Sequence, residues 1–296
     1  MSTPAANRSM FFIVMFCLLL IAACAMPGAN ASPSNDDMFS KVQNYEVFMG
    51  RWSRLLAPQL IEFAGVTDGE HILDVGTGTG ALASALLAHG PQVRVTGIDP
   101  SENYLSYADR EVGDERAAFV VGDAQAMEFA AASFDQCLSL LVVNFIPDPK
   151  KAVGEMIRVT KRGGVIAAAV WDYSDGMQML RVFWDEAIAL DPSADPRDER
   201  HMPYCTKDEL LRLFGEAGLQ GVEATALVAE QRFQSFEEYW APFLLGTGPA
   251  GAYVASLPAD HCSALRDRLR SRLAKSGTDK PFSLPCRAWA VRGRVR

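Results

Sequence analysis

His71-Ile72-Leu73-Asp74-Val75-Gly76-Thr77-Gly78-Thr79-Gly80-Ala81-Leu82, or HILDVGTGTGAL, decides the fold. A short apolar run (Ile72, Leu73, Val75) leads into three alternate glycines, and an alanine- and leucine-rich segment with helix-forming composition follows to Ala88. The order is strand, tight loop, helix. Glycines at such a crossing let the backbone turn sharply and approach a ligand closely, while the first turn of the helix offers unpaired N–H groups and a partial positive charge. The reading is a loop that holds a nucleotide-like ligand.

Outward from this stretch, 296 residues with 49% hydrophobic content are ample for a large core, so the chain reads as globular. Net charge is −8, from 28 basic and 36 acidic residues, and the basic residues form no long run beyond a modest cluster between Arg266 and Lys275. That balance excludes nucleic acid as a partner, because phosphate binding needs a concentrated basic surface.

Residues 10–26, MFFIVMFCLLLIAACAM, are uninterruptedly apolar and are followed by a Pro/Gly/Asn/Ser-rich stretch. They read as the core of a secretory leader, short for a membrane span, with a small-x-small site at Ala29-Asn30-Ala31 and a lipobox-like Ile21-Ala22-Ala23-Cys24. A second reading starts translation at Met38. The domain division is therefore a leader and linker over 1–37 and one folded domain over 38–296. Any membrane attachment runs through the leader. Of six cysteines, Cys17 and Cys24 fall in the leader, and Cys137, Cys205, Cys262 and Cys286 are scattered without CxxC or metal-ligand spacing. No metal is expected. A Cys205–Cys262 pairing is compatible with export.

The chain beyond the leader alternates regularly. Met38 to Gly65 has helical periodicity, with Tyr45, Phe48, Trp52, Leu56 and Leu60 recurring near a 3.6 period; this segment packs on the sheet or covers the ligand. Strands are expected at 71–75, 93–98, 117–121, 134–142 and 164–171, and helices at 80–89, 101–112 and 149–160. Apolar strands separated by helices of about ten residues mean a parallel sheet covered on both faces. Further on come an apolar helix over 179–190, a charged loop DPSADPRDERHMPY, a helix capped by Thr206 with Glu209 at the capping-box position, and a strand over 221–229. Residues 234–275 read as two helices parted by GTGPAG, and 286–294 as a last strand. The segments 172–205 and 234–275 are expected to form a helical lid.

Three details of the loop bear on its ligand. Its spacing is GxGxG rather than the GxGxxG of dinucleotide-binding loops; Asp74 sits in the strand two residues before Gly76; and Asp99 ends the next strand. A carboxylate at the loop repels a pyrophosphate and suits an ammonium. Asp74 either bonds the loop backbone or meets the ligand. Asp99 stands where a ribose diol is held, a role that either cofactor class uses. Gly122-Asp123-Ala124, after the third strand, is either a plain turn or a frame for an adenine amino group.

Taken together, ILDVGTGTG (72–80), GIDPS (97–101), GDAQAM (122–127), FDQCLSLLVVNFIPDP (134–149) and EMIRVTKRGG (155–164) fall in the order and spacing of the class I S-adenosylmethionine-dependent methyltransferases, which the chain resembles over about residues 40–294. More narrowly it is similar to the small-molecule branch that includes the quinone-biosynthesis enzymes. The resemblance implies an α/β, Rossmann-like sheet of seven mostly parallel strands with helices on both faces, the last strand antiparallel. It also implies S-adenosylmethionine as cofactor and a small-molecule methyl acceptor. Gly76, Thr77, Gly78 and Gly80 would line its methionine part with Asp74 beside them, Asp99 with Pro100 would hold the ribose, and Asp123 with Ala124 would frame the adenine. Leu140 or Leu141 would lie near the sulfonium. The usual Lys-Pro-Gly-Gly turn is Lys161-Arg162-Gly163-Gly164 here, and the exported-looking leader departs from a cofactor kept in the cytosol.

Asn144-Phe145-Ile146-Pro147 stands where nitrogen methyltransferases acting on bases carry Asn/Asp-Pro-Pro-Tyr, and no Pro-Cys marks a cytosine C5 enzyme, so small acceptors remain. Trp171 and Asp172 end the fifth strand at the ligand-binding edge, with Asp172 a candidate base; Tyr239, Trp240 and Phe243 are candidates for an acceptor pocket under the lid. For the aromatics the alternative is packing of the lid on the core. Against methyl transfer stand an NAD(P)-dependent oxidoreductase and a non-catalytic cofactor-binding lipoprotein.

Overall fold

The computed structural model describes residues 42–273 and 280–296. The leader reading over 1–37 lies outside these residues. The chain enters through a helical turn at 42–45 and a π-helical turn, Glu46–Gly50, which runs without a break into helix α1, Arg51–Ala64. Trp52, Leu56, Leu60 and Ile61 make one apolar stripe that is buried completely, and Gly65 in the left-handed region closes the helix.

Seven strands follow: β1 His71–Val75, β2 Arg94–Asp99, β3 Ala117–Val121, β4 Phe134–Leu140, β5 Thr160–Trp171, β6 Gln220–Phe233 and β7 Phe282–Arg294. They form one sheet in the order β3-β2-β1-β4-β5-β7-β6, parallel except that β7 runs antiparallel to both β5 and β6. This is the architecture that the resemblance implies. Residues 165–171 of β5 and nearly all of β4 are buried on both faces, which is why both read as continuous apolar runs. The edge strand β3 leaves Val120 and Val121 exposed.

Helices α2 Ala81–His89, α3 Glu102–Val112, α4 Pro149–Val159 and α6 Lys207–Glu216 connect and cover the strands, while α5, Gln178–Leu190, belongs to the lid. The Thr206/Glu209 capping box forms in both directions. One expectation fails in the lid. GTGPAG does not separate two helices but begins one: Gly246 takes a left-handed conformation, Thr247 is the N-cap, Pro249 sits in the first turn of α8 (Gly248–Ser256), and the break before α9 (Ala259–Leu273) falls at Leu257-Pro258. A proline in the first turn of a helix is favoured because its missing N–H would be unpaired there anyway. A short α7, Phe236–Trp240, and a 3-10 turn, Ala241–Leu245, precede it.

The lid is held to its base by a buried ion pair. Arg181 on α5 donates both guanidinium nitrogens to Asp198, at 2.9 and 2.6 Å, and a third bond reaches the Tyr173 carbonyl. No helix of the described residues is long and apolar enough to cross a membrane. Cys137, Cys205, Cys262 and Cys286 are all free thiols, so Cys205 and Cys262 are not paired. Arg181→Met should lower the unfolding free energy by about 3 kcal/mol, because it leaves Asp198 buried with only Arg200 as cation. Urea denaturation followed by tryptophan fluorescence reads this directly; a loss below about 0.5 kcal/mol would show the pair to be idle.

Candidate functional site

Between β1 and β4 the strand order reverses direction, and the carboxyl ends of those strands open a crevice where α/β sheets bind ligands. The loop after β1 fills its floor. Gly76 and Thr77 donate their N–H groups to the Ile98 carbonyl at 2.8 and 3.1 Å, which folds the loop back over the end of β2. Gly76, Gly78 and Gly80 all have positive φ. At Gly76 the need is steric as well, since a Cβ there would run into the Val142 side chain.

Asp74 is 1% exposed and joins the loop to the helix behind it. Its carboxylate accepts from Thr77 Oγ1 at 2.7 Å and from the backbone N–H of Ala83 in the first turn of α2. Burial, opposed by those two bonds and reinforced by the nearby Asp99, pushes its pKa up to about 7. No cation pairs with it among the described residues. Asp99 accepts from the N–H of Gly78 at 3.0 Å and of Ser101 at 2.9 Å; burial raises its pKa against those two bonds. Both readings of Asp74 survive: it braces the loop, and it presents an uncompensated buried carboxyl to the crevice.

Leu140, at the end of β4, lines the same cavity as Asp74, Gly76 and Thr77, and Leu141 after it is held at φ 65°, a conformation that is strained for a branched side chain. Pro100 is exposed beside the N-cap of α3. Asp123 and Ala124 follow β3 at the carboxyl edge next to Asp99, whose carbonyl accepts the Gly122 N–H at 3.1 Å. Asp123 is exposed, and bonds from the Gln125 backbone and side chain hold its pKa below the usual carboxylate range.

The cover of the cavity comes from the segment before α1. Tyr45 and Ser53 line it; the Tyr45 ring lies 5.5 Å from that of Tyr104, and the Glu46 carboxylate bonds both Thr79 Oγ1 in the loop and Arg54. The helical period of 38–65 announced a covering segment, but nothing in it singled out Tyr45, Glu46 or Ser53.

The acceptor-side candidates are placed differently. Asp172 is buried and tied to Arg287 on β7 through Oδ2, with Oδ1 accepting the Asp175 N–H at 3.1 Å, so its carboxylate is committed. Trp171 packs edge-on against Trp52. Tyr239 donates its hydroxyl to the Met179 carbonyl, Phe243 stacks on Phe183 at 4.5 Å, and Trp240 lies against Phe243. These rings are the packing of the lid, and none of them lines the cavity beside Asp74. His71, His89 and His201 bond Thr96, the Val66 carbonyl and Asp195 respectively. No group of three or more His, Cys, Asp or Glu that could hold a metal occurs among the described residues.

Residues 73–168 match the family model described as a methyltransferase domain. Among curated proteins, the chain is 34% identical over 143 residues to a demethylmenaquinone methyltransferase of Renibacterium salmoninarum, covering 47% of this chain and 57% of that one. It is 35% identical over 121 residues to a 2-methyl-6-phytyl-1,4-hydroquinone methyltransferase of a Synechocystis strain, covering 40% and 38%. The chain thus spans about half or less of the length of these relatives. Among solved structures it is similar to Haemonchus contortus phosphoethanolamine N-methyltransferase 2 in complex with S-adenosyl-L-methionine, at a TM-score of 0.52 and 19% identity, over 89% of this chain and 57% of that one. It is likewise similar to the [4+2]-cyclase SpnF, at a TM-score of 0.51 and 19% identity, over 81% and 80%. These two likenesses are of fold alone.

The raised pKa of Asp74 has a sign that can be checked. The folded state binds a proton that the unfolded chain has released above pH 4, so Asp74 opposes folding increasingly from about pH 4 to 7. Asp74→Asn should therefore flatten the fall in stability over that window, measured as melting temperature against pH. A slope identical to the wild type would mean that Asp74 is ionised throughout.

Proposed function

Residues 73–168 belong to a methyltransferase domain of the class I S-adenosylmethionine-dependent family, and from that premise we propose that the protein transfers the methyl group of S-adenosylmethionine to a small-molecule acceptor by in-line displacement. The observation that carries the reading is the buried, cation-free Asp74 at the end of β1, beside a glycine cradle that a Cβ at Gly76 would fill. That donor set fits a ligand with an amino-acid end: a carboxyl for its ammonium, and loop N–H groups and a helix N-terminus for its carboxylate. It fits a pyrophosphate poorly, which disfavours a nicotinamide cofactor. Asp99 is placed to accept from a ribose diol, and Gly122-Asp123-Ala124 to frame a base at the neighbouring strand end.

When bound, the cofactor supplies a sulfonium methyl that is already activated. The protein's share is then orientation and exclusion of water. Tyr45 and Ser53 close the cavity from above, Leu140 and Val142 wall its β4 side, and Glu46 latches the covering segment to the loop through Thr79. Acceptors related to isoprenoid quinols are favoured by the two curated relatives, whose names both specify quinone-type substrates.

Calorimetry on the full chain is expected to detect S-adenosylmethionine binding and none of NAD; the reverse outcome would sink the proposal. Asp99→Ala should weaken cofactor binding by about 1 to 3 kcal/mol if its carboxylate accepts from the ribose. Because an ammonium is best held by ionised Asp74, affinity should rise about tenfold from pH 6 to pH 8, and Asp74→Asn should abolish that rise.

A further inference from the structure

The two neighbouring acids of the charged lid loop are both buried, yet only one has a counter-ion. Asp198 takes two bonds from Arg181 and one from Arg200 Nε, at 2.6 Å, besides the Arg200 N–H at 2.8 Å. Glu199, 4% exposed, accepts from the Trp184 indole N–H, from the backbone N–H of Ala250 and from its own N–H. No cation reaches it among the described residues. A carboxylate has room for about four donors, so one lone pair stays open. Burial, opposed by these bonds and reinforced by Asp198, pushes the Glu199 pKa up to about 7.

Glu199 also faces Tyr173, the residue after Asp172. Where Asp172 turns outward to Arg287, Tyr173 is 4% exposed, and the Asn144 side chain bonds its hydroxyl. Of the charged groups around that phenol, Glu199 acts on it most strongly, followed by Cys205 and Tyr45. Tyr45 lines the Asp74 cavity, and Asn144 lies two residues beyond Val142, which lines it too. The Tyr173 hydroxyl thus stands between the cavity and Glu199. Burial raises its pKa well above the phenol range, so it serves as a donor and not as a base. The groups facing Glu199 are Asp198 and Arg200 from its own loop, Arg181 and Trp184 from α5, Tyr173 after β5, and Ala250 from α8; both arginines are engaged by Asp198.

We propose that Tyr173, Asn144 and Glu199 form the acceptor side of the site, which takes an uncharged acceptor bearing an ionisable hydroxyl: Tyr173 and Asn144 orient it, and Glu199 accepts its proton. The inference rests on the methyl-transfer reading. The balance is simple. The acceptor loses H⁺ to the Glu199 carboxylate and forms a bond to the methyl carbon. The sulfonium–methyl bond breaks, leaving its electron pair on sulfur as a neutral thioether. An anionic acceptor is disfavoured because the open group at this place is a carboxylate and the neighbouring arginines are spent.

The test uses the full chain with 1,4-naphthohydroquinone under anaerobic conditions, first with S-adenosylhomocysteine for binding and then with S-adenosylmethionine for turnover. The wild-type complex should bind the hydroquinone, and Tyr173→Phe should weaken that binding about tenfold. Glu199→Gln keeps an acceptor for the Trp184 indole, so melting temperature and cofactor affinity should hold. Its kcat should fall 10²- to 10⁴-fold, with loss of the rise in kcat near pH 7. A structural Glu199 would leave the kcat and pH profile of Glu199→Gln at wild-type values, which overturns the proposal, as does a wild-type complex that does not bind the hydroquinone or that methylates only amines. Should Glu199→Gln misfold, the infrared band of a buried carboxylic acid must grow during a single wild-type turnover, and a flat difference spectrum overturns the assignment. Failure of the wild type to bind S-adenosylmethionine, read before any hydroquinone is added, counts against methyl transfer itself.

Discussion

The bracing of Asp74 is the constraint on which the site depends. Its carboxyl ties the end of β1 to Thr77 in the loop and to the first turn of α2, so three pieces of chain that must meet a ligand are held in one register. The arrangement is costly in water's absence, since a buried carboxyl without a cation shifts toward its neutral form. That cost is tolerable because two hydrogen bonds and the helix N-terminus offset part of it. A cationic ligand would offset the remainder, which links the stability of the loop to its occupancy.

From this centre the geometry spreads by short backbone contacts. Gly76 and Thr77 bond the Ile98 carbonyl, Gly78 bonds Asp99, and the Asp99 carbonyl takes the Gly122 N–H, so the ends of β1, β2 and β3 are stitched together in sequence. Glycine at 97 is needed by the same closeness, because a Cβ there would lie 2.8 Å from the Thr77 side chain and 2.7 Å from Phe119. The cover is added from the other direction by Glu46, which reaches the loop at Thr79.

Much of this was legible in the amino-acid order. The parallel strands are short apolar runs whose period and spacing admit few alternatives, and the antiparallel last strand was implied by the family resemblance. The loop acids, Asp74 and Asp99, declared themselves by position. What stayed hidden depended on tertiary burial. Asp172 and Tyr173 occupy successive positions at the end of β5, and only the pairing of Asp172 with Arg287, 115 residues away, decides which of them turns inward. DPSADPRDERHMPY reads as a solvated loop because nearly half of it is charged, yet α5 and α8 close over Asp198 and Glu199. The GTGPAG segment misleads for a local reason: glycines suggest a break, but a proline inside the first turn begins a helix as readily as it ends one.

Charge pairing then sorts the buried acids into two kinds. Asp198 and Asp172 are satisfied by arginines, and their work is to hold α5 to its loop and β5 to β7. Asp74 and Glu199 are satisfied by neutral donors only, and burial drives the pKa of each to about 7. A purely structural carboxyl gains nothing from lacking a counter-ion when arginine is available one residue away, as it is for Glu199. Such a group retains a capacity that an ion-paired one has lost, since it can take up a cation or a proton at neutral pH without first breaking a salt bridge. The two uncompensated carboxyls lie on opposite sides of the space bounded by Tyr45, Leu140 and Tyr173, one placed for the charge that a methyl donor brings and the other for the proton that a methyl acceptor sheds.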